Sequence, residues 1–315
     1  MEKQLLVTST PHIKSKNTVT SEMLKVIIAL IPTGLCGIWF FGIRALILIL
    51  TSVFSCVVFE FICNKIMKRK STIGDLSAVV TGMLLAYNVT VTIPIWQLVC
   101  GAFFAIIVCK MLFGGLGQNI INPALGARAF LLASWPASMS NFVLPSSDAF
   151  TTSATTSATV LSGGSVPSLT DMFIGNMGGT IGEVSTLAIL IGAAFLVFTK
   201  VISLRIPITY ILTTAILLSI FNKSISIIPV QLLSGGIMLG AFFMATDYTT
   251  SPVTPLGQII FALGCGILTA IIRTFGGYPE GVSYSILLMN ICVPLIEKFT
   301  VPKVFGHVKK GAENE

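Results

Sequence analysis

The chain is short of charge. Of its 315 residues only 10% are Asp, Glu, Lys or Arg, while 54% are hydrophobic. Soluble domains carry about 25% charged residues, so this scarcity excludes a soluble fold. A nucleic-acid footprint is also lacking. The formal charge is +7, but the bases gather in short stretches beside apolar runs: Lys3 to Lys25, Lys65 to Lys70, and Lys298 to Lys310. That placement marks membrane anchoring, with lipid as the surrounding partner and no nucleic acid. No C-x-x-C pair occurs among the seven cysteines, which all lie in or beside apolar runs. They read as small packing residues, so no metal site is expected from this chain alone. Met1–Asn17 is polar and has no apolar core, so it is not read as a cleaved signal peptide.

What is present is apolar sequence in quantity, with a mean hydropathy of +0.93. A spanning helix needs about 20 apolar residues, and ten apolar runs are legible between Met23 and Ile296. They predict an all-α integral membrane protein of about ten transmembrane helices. Several runs, notably Pro123–Trp135 and Gly281–Ile296, fall short of a full crossing. Short or Gly/Pro-interrupted runs at corresponding positions of two halves mark broken helices in inverted repeats. Phe-Gly-Gly recurs at 113–115 and 275–277, which fits two inverted five-helix repeats. The expected organisation is a cytoplasmic segment over 1–22, a first repeat over 23–135, an extracytoplasmic loop over 136–182, a second repeat over 183–297 and a cytoplasmic tail over 298–315.

Charge sets the orientation. No Lys or Arg occurs from Ala129 to Thr199, so the 136–182 loop should face away from the cytoplasm. With both termini inside, Lys65–Lys70, Lys110, Lys200 and Arg205 fall on the cytoplasmic side. Arg44, Lys223 and Arg273 are the exceptions. Within the loop, Pro167–Asn176 mixes apolar and polar residues as an ordered loop or short interfacial helix would.

Polar residues at membrane depth usually face protein or water and mark a site. Asn119, Asn122 and Arg128 flank Pro123 at the cytoplasmic end of the fifth run, and Asp247 lies where the eighth ends. Glu280 follows Phe-Gly-Gly-Tyr-Pro279. For Arg128, Asp247 and Glu280 a functional role and helix capping stay open; for Asp75 capping is preferred. Snorkelling to the cytoplasmic surface is enough to explain Glu60.

The segment Asp148-Ala-Phe-Thr-Thr-Ser-Ala-Thr-Thr-Ser-Ala-Thr-Val-Leu161 stands in the extracytoplasmic loop. Its small neighbours leave threonine hydroxyls accessible to an enzyme that transfers FMN from FAD, forming a phosphoester. A phosphate adds about −1.5 to −2 charge and belongs in water, which the loop provides. A solvated Ser/Thr linker satisfies the same conditions and is the reading that composition alone favours.

Six motifs resemble the D-subunit family of the Rnf complex, over nearly the whole chain. They are Ser9–Lys14, Phe113–Phe130, Asp171–Asn176, Gly179–Leu187, Phe243–Pro255 and Phe275–Gly281. The related B subunit of the sodium-pumping NADH:quinone oxidoreductase has a longer N-terminal region, so the short start favours Rnf. The resemblance implies a ten-helix inverted-repeat fold similar to urea channels. It implies a translocase subunit, not catalytic alone, in a complex that couples electron transfer between reduced ferredoxin and NAD to Na⁺ or H⁺ movement. Implied partners are the C, G, A, E and B subunits and a flavin transferase, in a bacterial cytoplasmic membrane. Covalent FMN on an outer-side threonine is implied, and a non-covalent riboflavin has been associated with the family. Two tandem Thr-Ser-Ala-Thr units, ending at Thr155 and Thr159, depart from the family pattern. Thr159, followed by Val-Leu, is preferred over Thr155. Arg128, with Asn119 and Asn122, is the candidate for binding the second flavin. Asp247 and Glu280 are the candidates for the ion path. A passive small-solute channel of the same fold is the alternative from a different class.

Overall fold

The computed structural model describes residues 18–69, 71–144, 156–157, 167–223, 228–276 and 281–302. Thr155, Thr159 and Glu280 lie outside the described residues. Among the described residues five helices are long and apolar enough to cross a membrane: α1 (Val19–Phe41), α2 (Ile43–Ile66), α9 (Arg205–Asn222), α12 (Pro255–Phe275) and α13 (Val282–Thr300). The chain is therefore an integral membrane protein. Gly281–Ile296, expected to fall short of a crossing, belongs to α13, which runs on through its internal Pro294.

The other elements are shorter. They comprise α3 (Ser77–Tyr87), α4 (Ile95–Phe103, continued by a wider π-turn Phe104–Met111), α5 (Pro123–Ser134) and α6 (Pro136–Ser140). After them come α7 (Leu169–Ile174), α8 (Thr186–Phe198), α10 (Ile228–Leu233) and α11 (Ile237–Leu239, continued as a π-turn Gly240–Met244). The expected interfacial helix in 167–176 is α7, capped by Ser168 through the Asp171 amide. A two-stranded antiparallel pair joins β1 (Phe142–Val143) to β2 (Thr156–Ser157).

The single apolar run Leu76–Val91 yields a half-helix. At about 1.5 Å per residue the 11 residues of α3 cover roughly 16 Å, about half of a bilayer core. Beyond Tyr87 the chain is β-branched and reaches Pro94, which disfavours helix for the residue before it. Irregular backbone at membrane depth must be satisfied inside the protein. Here Gly182 donates to Tyr87 O at 2.9 Å and Ile181 to Val89 O at 3.1 Å. Arg44 Nε donates to Val91 O at 2.7 Å. Arg273 plays the same part in the second half, donating to Gln231 O and, at 3.2 Å, to Ser234 O. Two of the three arginines and lysines that fitted the charge rule poorly are thus backbone clamps at helix breaks.

Helices meet where side chains are small. A Cβ on Gly34 would stand 2.3 Å from the Tyr87 hydroxyl oxygen, and one on Gly182 would stand 2.3 Å from Tyr87 Cβ. Tyr87 Oη donates to Leu30 O at 2.9 Å, so one ring seals α1, α3 and the turn before α8 together. Cys56, Cys63, Cys109 and Cys265 are buried packing residues.

Candidate functional site

A cavity of about 710 Å³, its open mouth included, lies between α1, α3, the loop before α5, the end of α8 and the turn after α11. Its polar lining includes Ser77, Lys110, Asn119, Asn122, Asp247 and Thr249, set among apolar walls such as Leu84, Leu196 and Phe243. Lys110 on its lining bonds to Glu60, six residues before the end of α2 at Ile66.

Asn122 has two tasks. Its side chain accepts from the Ala124 and Leu125 amides at 3.0 and 3.4 Å and so caps α5, with Pro123 in the first turn. Its Nδ2 reaches Met244 O at 3.5 Å. With the Asn290 amide oriented to suit its neighbours, Asn290 of α13 accepts from the Asn122 amide at 3.1 Å and donates to Thr250 O at 3.0 Å. Asn119 Nδ2 donates to Thr249 Oγ1 at 3.0 Å, while its buried Oδ1 has no hydrogen-bond partner. Asp247 accepts from the hydroxyls of Thr249 at 3.0 Å and Thr250 at 3.2 Å. The structure thus brings Asn119, Asn122 and Asp247 to one wall.

Arg128 goes elsewhere. It is not among the residues lining the cavity. Its Nη1 donates to Glu183 Oε1 at 3.0 Å and to Asn88 Oδ1 at 2.8 Å, with both charged side chains almost fully buried. Asn88 terminates α3, and Glu183 belongs to the turn before α8. Gly236 makes room for the pair, since a Cβ there would stand 2.4 Å from Glu183 Oε1. Sequence reasoning had no role for Glu183, Asn88 or Asn290. A carboxylate beside Gly182 at the start of an apolar run was the available signal for the first.

Glu60 is overturned as a snorkelling residue. It is 0% exposed, and its Oε2 accepts from Lys110 Nζ at 2.7 Å. Lys110, only 2% exposed, also donates to Ser77 Oγ at 2.6 Å. Its ammonium therefore points into protein. Asp75 accepts from the Ser77 amide at 2.8 Å at the start of α3, the capping role preferred for it.

The model of the NQR2, RnfD, RnfE family matches residues 6–306. The D subunit of the Na(+)-translocating ferredoxin:NAD(+) oxidoreductase complex of Acetobacterium woodii is 51% identical over 320 residues, covering 99% of each chain. The D subunit of the proton-translocating ferredoxin:NAD(+) oxidoreductase complex of Clostridium ljungdahlii is 42% identical, covering 95% of this chain and 96% of that one. The D subunit of the ion-translocating oxidoreductase complex of Halorhodospira halophila is 33% identical, covering 96% of each.

Proposed function

We propose, for a chain that belongs to the NQR2, RnfD, RnfE family, the role of membrane electron-carrying subunit in an Rnf-type complex. That complex would couple electron transfer between reduced ferredoxin and NAD to translocation of Na⁺ or H⁺. The carrying observation is the 51% identity that runs over 99% of both chains. Its partners would be the C, G, A, E and B subunits, with a flavin transferase for maturation. A bacterial cytoplasmic membrane with both termini inside and the 136–182 loop outside agrees with the charge distribution.

The inverted repeat is part of this reading. Matching α1 to α8, α2 to α9, α3 to α11, α4 to α12 and α5 to α13 pairs the broken elements with one another. It is supported by two contacts between matched elements, α1 with α8 and α5 with α13, which a twofold axis passing near them would produce. The packing of α2 against α4 is likewise repeated by α9 against α12.

Covalent FMN is placed on Thr159, with Thr155 as the runner-up. Bound there, the flavin supplies an electron carrier that cannot diffuse away. The pairing of β2 with β1 fixes the backbone one position after Thr155 and two before Thr159, which suits a tether at the membrane face. A second, non-covalent flavin such as riboflavin is assigned to the cavity, where the unpartnered Asn119 Oδ1 suits an imide N–H. Asn119 and Asn122 would hold the ring's polar edge. Arg128 would act through the frame, by locking α3 and α5 to the turn before α8. Asp247 and Glu280 are assigned to the ion path, and neutralising either should uncouple ion transport from electron flow.

The test is the mass of peptides spanning Asn141–Lys200, from protein co-expressed with a flavin transferase. An FMN adduct that disappears in Thr159→Val and persists in Thr155→Val is the expected outcome. An adduct lost only in Thr155→Val moves the site by four residues. No adduct on either, with a transferase active on a control substrate, refutes the covalent carrier and favours a solute channel.

A further inference from the structure

The Lys110–Glu60 pair is an expensive arrangement. Each charge taken out of water costs several kcal/mol unless geometry and further hydrogen bonds offset it. A lysine serving only as an anchor keeps its ammonium in water, whereas Lys110 turns inward to Glu60 and Ser77. The pair is also oriented. Lys110 and Ser77 line the cavity, and Glu60 does not. Glu60 is held from behind by the Thr72 hydroxyl, which in turn accepts from Asn64 Nδ2 at 2.9 Å. Ser77, having accepted from Lys110, donates to Asp75 Oδ1 at 2.5 Å. The cationic member of the pair is therefore the one on the cavity wall, and the carboxylate stands behind it in α2. Charge fixed in a poorly polarisable surrounding acts more strongly and further than in water.

We propose that the Lys110–Glu60 pair sets the reduction potential of a redox-active ring held in this cavity. The inference rests on the reading of the cavity as a flavin site. Reduction adds electrons to the ring, so a cation on the wall favours the reduced form and raises the potential. Glu60 acts through Lys110: it offsets part of that cation's field and limits the rise. Asp247 is the other charged group on the lining and opposes Lys110, and it stays unchanged throughout the comparison.

The two positions then have opposite signs. K110M removes the cation and lowers the potential. E60Q leaves the cation uncompensated and raises it. A pair that serves only to hold α2 against the π-turn after α4 predicts the same defect from either change.

The experiment uses the full chain carrying T155V and T159V, so that only non-covalent flavin contributes, with riboflavin as the probe. Riboflavin released on denaturation is counted first. A parent protein that binds none overturns the cavity reading, and this inference with it. Spectroscopic redox titration then compares parent, K110M, E60Q, K110R and E60D. The expected result is opposite shifts for K110M and E60Q, each at least a tenfold change in the ratio of oxidised to reduced flavin, about 30 mV for a two-electron couple. K110R should stay near the parent. Shifts of one sign, or none while riboflavin remains bound, overturn the tuning role and leave the flavin site standing. Should K110M or E60Q fail to fold, E60D decides: it draws the carboxylate back and must raise the potential.

Discussion

Arg128 and Glu183 stand 55 positions apart in the chain and 3.0 Å apart in the fold. Removing one member of a buried ion pair leaves a stranded charge, a loss of about 3–5 kcal/mol, whereas replacing both by apolar residues is often neutral. Arg128→Met or Glu183→Met alone should therefore lower the unfolding temperature of the detergent-solubilised protein by many degrees. The double variant should recover most of that loss. Equal, additive losses would mean that the pair does not hold the two halves. Sequence reasoning singled out Arg128 but grouped it with Asn119 and Asn122. Asn122 is the cap of α5 and Arg128 sits six positions on. At 3.6 residues per turn, that turns the side chain to another face and carries it about 9 Å along the axis. Adjacency in sequence misled because the helix separated what the chain had placed side by side.

At the scale of elements, the decisive feature is a helix that stops half-way. Hydropathy averaged over Leu76–Val91 reads as one span, because Val89 and Val91 are as buried as the helical residues before them. Burial does not distinguish a helix from irregular backbone that is hydrogen-bonded elsewhere. The turns after α3 are so bonded, by the Ile181 and Gly182 amides and by Arg44. Close approach around Tyr87 makes this possible. Gly34→Leu should force the ring aside and cost about 1–3 kcal/mol, as overpacking generally does. Thermal unfolding should show that loss, while Gly74→Ala, where nothing stands within 4 Å of an added Cβ, should leave the midpoint in place. Capping, by contrast, was legible locally: Asp75, Asn122 and Ser168 each serve an amide within three residues.

For the molecule as a whole, the distribution of basic residues makes a prediction about sidedness. In a variant without native cysteines, Thr170→Cys on α7 should react with a membrane-impermeant maleimide in intact cells. Ser71→Cys, after α2, should react only once the membrane is opened. Both positions are exposed, so the reverse pattern would invert the topology. Among the described residues five helices meet the length of a full crossing, against ten apolar runs in the sequence. The other five runs give α3, α5 and α8, which stop short, α4, which passes into a π-turn, and the broken α10–α11 region.

Membrane embedding, the positions of most apolar elements, the caps, the family and the polar residues near the cavity were determined by the sequence itself. Each of these depends on composition or on neighbours within a few positions, which local physics reads directly. The tertiary structure alone decided that Lys110 turns from an anchor into the partner of Glu60. It also decided that Arg128 leaves the cavity for Glu183, and that Asn290 joins the cap of α5. These are pairings of charges and amides across 50 or more residues. A buried polar group must find a partner, and which partner lies within reach is settled by helix packing and by where each helix breaks.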